Sequence, residues 1–190
     1  MTAAEVIDFW FGRAPLATRC EWFVKSAEFD DTIRQRFGEL VNQALAAPLD
    51  WADDAPSLLA EIIVLDQFTR NLFRGQARAF AGDARALELA LRLVGSSGYL
   101  ALHPLQRWFA CMPLEHAEDL GQQDRCVALF EALAADAGTH AGALQGALDY
   151  AYKHRDVIRQ FGRFPHRNAA LGRSSTAAEM AYLAQPGSGF

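Results

Sequence analysis

Three stretches of this chain carry side chains whose types and spacing could do chemistry. In the first, Asp66 and Arg70 stand four residues apart, with Gln67 and Asn71 in the same turn. On a helix that spacing stacks a carboxylate against a guanidinium, and in a buried helix the two must pair, because a lone interior charge is expensive. The pair reads either as a lock on helix register or as the polar end of a pocket. In the second, Met112–Asp119 (MPLEHAED) sets Glu115, His116, Glu118 and Asp119 behind a proline. His116 and Asp119 share a face if Asp119 opens a new helix, where acids are in any case favoured by the helix dipole. As metal ligands they need a third donor such as His154 or His166. No H-E-x-x-H or cysteine framework accompanies them, so no metal and no cofactor is expected.

The third stretch, His154–Asn168 (HRDVIRQFGRFPHRN), is the densest. Ala147, Ala151, His154, Ile158 and Phe161 recur at spacings of three and four, which places His154 on an inward helical face. The chain then turns at Gly162, is stiffened by Pro165, and presents His166, Arg167 and Asn168, with Arg159 and Arg163 approaching the same turn. Such a cluster can cradle an anion, or it can dock onto the acids around His116. From Lys153 to Arg173 there are six cations against the single acid Asp156, in a chain whose net charge is −5. Nearly all the positive charge is arginine, the exceptions being Lys25 and Lys153, and arginine suits bidentate pairing with carboxylate or phosphate.

Helices must position these groups. Ala and Leu far outnumber Val, Ile and Thr, which favours helix and starves strands. The pattern predicts helices over Thr2–Phe11, Ser26–Ala47, Pro56–Asn71, Asp83–Val94, Pro104–Met112, Glu118–Ala137, Gly142–Phe161 and Ala177–Ala184, with a kink or restart at Pro113. The Pro56–Asn71 segment is apolar on almost every side and should be the buried central element. Helices of these lengths joined by short turns stack as antiparallel hairpins. The expected fold is therefore all-α, about eight or nine helices in a tetratricopeptide-like array. No repeat of about 34 residues recurs with fixed phase. The 190 residues are expected to form one domain, with a frayed tail at 185–190.

Composition excludes several classes. With 51% hydrophobic residues the chain is not intrinsically disordered, and its acidic balance argues against nucleic-acid binding. No apolar run reaches bilayer length and the first residues lack a basic leader. The odd count of 3 cysteines without C-x-x-C spacing points to a reducing cytoplasm. There is no Walker loop, no G-x-G-x-x-G and no G-x-S-x-G elbow.

Four peptides, Val6–Gly12 (VIDFWFG), Leu65–Gly75 (LDQFTRNLFRG), Pro113–Leu120 (PLEHAEDL) and His154–Leu171 (HRDVIRQFGRFPHRNAAL), together resemble the bacterial family called domain of unknown function 924. The resemblance covers nearly the whole chain and implies an all-helical, tetratricopeptide-like fold with no established reaction. It singles out Asp66, Gln67, Arg70, Asn71, His116, Glu118, Asp119, His154, Arg155, Arg163, His166, Arg167 and Asn168. Ala117 stands where the family pattern has serine, so no mechanism here can use that hydroxyl.

Three functions fit this reading. In the leading one the three stretches meet in a polar pocket that binds a small anionic ligand or an acidic peptide end, with Arg163, Arg167 and Asn168 holding the charge. In the second the fold is a protein-interaction scaffold and the polar cluster is internal. The third is a hydrolase or isomerase with His116 or His154 as general base, oriented by Asp119 or Asp66.

Overall fold

The computed structural model describes residues 1–136 and 138–189, and these form helices and turns with no strand among them. Helix α1 (Ala3–Phe11) opens with a reciprocal cap, in which the Thr2 hydroxyl accepts from the Glu5 amide and the Glu5 carboxylate accepts from the Thr2 amide. It ends at Gly12, where φ is 76°. Ser26 caps α2 (Ala27–Ala46) and Asp54 caps α3 (Ala55–Ile62), with Pro56 in a first turn where its missing N–H costs nothing. The remaining helices are α4 (Thr69–Leu72), α5 (Asp83–Val94), α6 (Pro104–Glu115), α7 (Leu120–Ala135), α8 (Ala141–Phe161) and α9 (Ala177–Leu183). The expected end of α7 at Ala137 and the last tail residue, Phe190, lie outside the described residues.

The central element is the predicted one, although it is not a plain α-helix. Between α3 and α4 the backbone runs as a π-helix over Ile63–Phe68, so the three pieces form one rod with a widened middle. Every residue from Ser57 to Thr69 is buried, and α1, α2, α5 and α6 pack around the rod. Leu59, Ile62, Ile63, Leu65 and Phe68 are shielded almost completely, each worth roughly 1.5–3 kcal/mol of transfer free energy. A Cβ on Gly82 would lie 2.4 Å from the Leu65 carbonyl oxygen. Glycine is therefore what lets the start of α5 lie against the π segment.

A second departure from expectation concerns Pro113. Helix α6 does not restart there but continues to Glu115, with the His116 amide donating to the Met112 carbonyl at 2.9 Å. So close to the helix end Pro113 forfeits one backbone bond, and its ring is buried in exchange. The carbonyls freed at this end are met by Gln123 of α7, whose side-chain amide donates to Glu115 and Ala117 at 2.6 and 2.8 Å. Beyond α6 the chain packs sequentially, α6 on α7 and α7 on α8. It then turns at Gly162 (φ 71°) and folds back, burying Phe164 with Val157 and Ile158.

Candidate functional site

The last turn of α6 meets the π segment and the inward face of α8 at one end of a cavity of about 530 Å³. Asp66, within the π stretch and fully buried, is met by three donors. His116 Nδ1 donates to Oδ1 at 2.7 Å, Gln67 donates to Oδ2 at 2.6 Å, and Arg70 approaches Oδ1 at 3.1 Å while also binding the Asp66 carbonyl at 2.7 Å. Burial alone would raise this carboxyl, but Arg70, His116 and Gln67 outweigh it and hold Asp66 well below the usual carboxylate range. Burial and the Arg70 charge lower His116, against the opposing pull of Asp66. His116 is thus neutral near pH 7, its Nδ1 proton on Asp66 and its lone pair on Nε2. That Nε2 makes no hydrogen bond among the described residues. Beside it, with ring centroids 6.2 Å apart, His154 is anchored through Nδ1 by Glu115 Oε1 and the Tyr150 carbonyl, both at 2.9 Å.

The cavity walls come from the α1–α2 connection and from α6 and α8. Arg19 ties this connection to the end of α1 through the Phe9 and Trp10 carbonyls, and Trp22 donates to the Trp10 carbonyl at 2.9 Å. Phe23 stacks on Trp108 with centroids 5.1 Å apart and is 55% exposed at the lip. Tyr150 and Ala147 form the α8 side. Among charged lining residues Lys25, Arg70 and Arg74 face the single acid Glu115. The carboxylate partners of Arg70 and Arg74 sit behind the lining: Asp30 takes Arg74 at 2.6 and 2.9 Å together with Asn71 at 2.7 Å, and Asp83 takes Arg70 at 3.0 and 3.1 Å.

Of the residues singled out from sequence, Gln67, Arg70, Asn71, His116 and His154 line the cavity and Asp66 lies directly behind His116. Arg167 is one step further away, bound to Asp83 at 3.3 Å and held over the rings of Phe80 and Phe164. Burial and the neighbouring Arg70 charge lower its guanidinium to about 10. His166, beside Phe164, is lowered to about 4 by burial and by Arg167, His154 and His116. The others are employed elsewhere. Arg163 grips Glu179 at 2.6 and 2.9 Å, Asn168 accepts from Arg173 and donates to Ser175, and Asp119 caps α7. Arg159 pairs with Asp156 on the surface at 3.0 Å. The basic stretch is therefore spent largely on the protein's own acids, including Glu118, which takes Arg173 at 2.6 and 2.8 Å and the Phe164 amide at 2.8 Å.

Sequence reasoning passed over Lys25, Arg74, Trp22, Phe23, Trp108 and Tyr150 as site residues. Arg74 had a signal, since it follows Arg70 by one turn. The Trp22-Phe23 doublet reads as core by type alone. Among the described residues no group of three or more His, Cys, Asp or Glu is placed to hold a metal ion, and no helix is long and apolar enough to cross a membrane.

The model of a family described as bacterial protein of unknown function (DUF924) matches residues 6–187. The chain belongs to this family. A solved structure of a protein of unknown function from Agrobacterium tumefaciens is similar to this DUF924 member, at 37% identity over 96% of each chain with a TM-score of 0.82. No curated protein matches the DUF924 chain.

Proposed function

We propose that the cavity binds a small amphipathic anion, its apolar or aromatic body against Phe23, Trp108 and Tyr150 and its charged end toward Lys25, Arg70 and Arg74. The observation that carries this reading is the lining itself, three cations against one acid, facing an aromatic wall. The exposed Phe23, Val24 and Tyr150 all belong to this cavity, and a pocket of this size and mixed polarity is typical of small-molecule sites. Relative to the sequence expectation, the anion-holding role moves from Arg163, Arg167 and Asn168 to the α2–α4 side. A single domain over 1–190 is supported by the one large core that runs from Val6 to Ala151. The successive packing of α5 to α8 supports the tetratricopeptide-like stacking, and free Cys20, Cys111 and Cys126 support a reducing cytoplasm.

Thermal-shift and calorimetric titration with 4-hydroxyphenylacetate, phenyl phosphate and neutral benzyl alcohol test the proposal at low and high salt. The aromatic anions should stabilise the protein, by about 2.7 kcal/mol at a hundredfold excess over Kd. High salt, Lys25→Ala and Arg74→Ala should each weaken the effect. Stabilisation by benzyl alcohol as strong as by the anions, or none by any of the three, overturns it.

A further inference from the structure

We propose that this cavity is catalytic, with His116 Nε2 as the general base that removes a proton from carbon next to a carbonyl in the bound anion. The inference rests on the binding reading above and adds a reaction to it. Four observations converge. His116 carries its Nδ1 proton on a carboxylate that Arg70 and Gln67 keep ionised, which fixes the ring and the tautomer. His116 lines the cavity, and its Nε2 makes no hydrogen bond among the described residues. A second imidazole, His154, lies 6.2 Å away on the same wall, close enough for one substrate to touch both. Asp66 itself sits in a π-helical segment, a distortion that recurs at functional sites. A network serving only to lock helices would be sealed by packing, whereas Gln67, Arg70, His116 and His154 all face the hollow.

The step balances without an oxidant, a reductant or a second substrate. The C–H bond breaks and an N–H bond forms at His116 Nε2. The C–H electron pair becomes a C=C bond, and the negative charge moves onto the former carbonyl oxygen, toward the cations of the lining. Return of the proton to the same carbon, to another carbon or to the oxygen completes an isomerisation, and exchange with solvent marks each passage. Asp66 is a positioning residue that orients His116. The charged and titratable groups around His116 are Asp66 and Arg70 on the central rod, Glu115 on α6, His154 on α8 and His166 in the turn after α8.

Phenylpyruvate, an aromatic anion with an acidic C–H, serves as the probe in D2O, with binding and loss of its methylene signal both followed by proton NMR. Wild-type protein should bind it and accelerate exchange above buffer, with the rate falling as pH drops below the His116 pKa. His116→Gln should still bind but lose about 10²-fold or more of the exchange rate. Asp66→Asn should move the acidic limb of the pH profile to lower pH, because it removes the charge that favours the imidazolium; a merely structural role would leave that limb in place. If His116→Gln fails to fold, carbethoxylation of wild-type protein, mapped to His116 and reversed by hydroxylamine, must abolish and restore exchange. Binding without exchange above buffer, or full exchange by folded His116→Gln, overturns the catalytic proposal and leaves the binding reading standing. Absence of binding overturns both.

Discussion

Two networks of arginine and carboxylate lie close together in this molecule and do opposite things. At the cavity end, Asp66, Arg70, Asp83 and Arg167 form a chain of pairs whose margin, with His116, opens onto a hollow. In the C-terminal return, Glu118 with Arg173 and Glu179 with Arg163 use the same chemistry to strap the last residues to the α6–α7 connection and to the turn after α8. The strap spends every charge on a partner of its own, down to the Thr176 amide that donates to Glu179 at 2.7 Å. The cavity network leaves Nε2 of His116 unspent. Composition therefore does not separate a cluster that is wholly internal from one that reaches a cavity. What separates them is whether the pairing closes on itself or stops at a cavity wall.

Substitutions can break or sharpen this contrast. The largest effect is expected from Gly82→Ala, whose Cβ would strike the Leu65 carbonyl at 2.4 Å and push α5 off the π segment. A loss of about 3 kcal/mol or more is expected, read as a fall in Tm together with weaker ligand binding. Next comes Glu118→Ala, which strands Arg173 and the Phe164 amide. It should cost roughly 1–3 kcal/mol in chemical denaturation and leave binding in the cavity untouched, so a loss of affinity would join the two networks into one.

Acid distinguishes them further. His166, held at about 4 against an ordinary value of 6.5, binds its proton more readily in the unfolded chain. Its contribution is complete above about pH 6.5 and is lost as pH falls toward 4. Glu179 is held at about 2 by Arg163 and the Thr176 amide, so the strap persists until pH falls well below 4.5. Tm measured from pH 7 to 4 should decline, and His166→Gln should flatten the decline. The smallest effect on stability belongs to Phe23→Ala at the cavity lip, within about 1 kcal/mol. The same change should weaken binding of the aromatic anion about tenfold, and unchanged affinity would remove the aromatic wall from the site.

The parts of the fold legible in the sequence were those specified locally. Thr2 with Glu5, Ser26, Thr176 with Glu179, and Gly162 mark helix ends through bonds or backbone angles spanning a few residues. The π segment was not legible, because a run that is apolar on almost every side carries no signal of a change in helical pitch. Nor was the passage of α6 through Pro113, which relies on burial and on Gln123 supplied from α7. In the site, the meeting of Asp66 and His116 could be anticipated from two polar clusters on apolar helices. The commitment of Arg163 to Glu179 could not, since it depends on the path the chain takes after Gly162. Phe23 escaped notice because an aromatic doublet does not reveal which of its rings faces water.

The widened turn in the central rod has one more consequence. A π turn amounts to a surplus residue, and each residue of an α-helix advances the screw by about 100°. Excising one residue between Ile63 and Asp66 would return the rod to ordinary pitch with α4 and Arg70 near their present bearing, and would re-aim the side chains inside the widened turn, Asp66 among them. In this protein a single-codon deletion inside a wholly buried helix would behave less like a packing defect than like turning a key out of its lock.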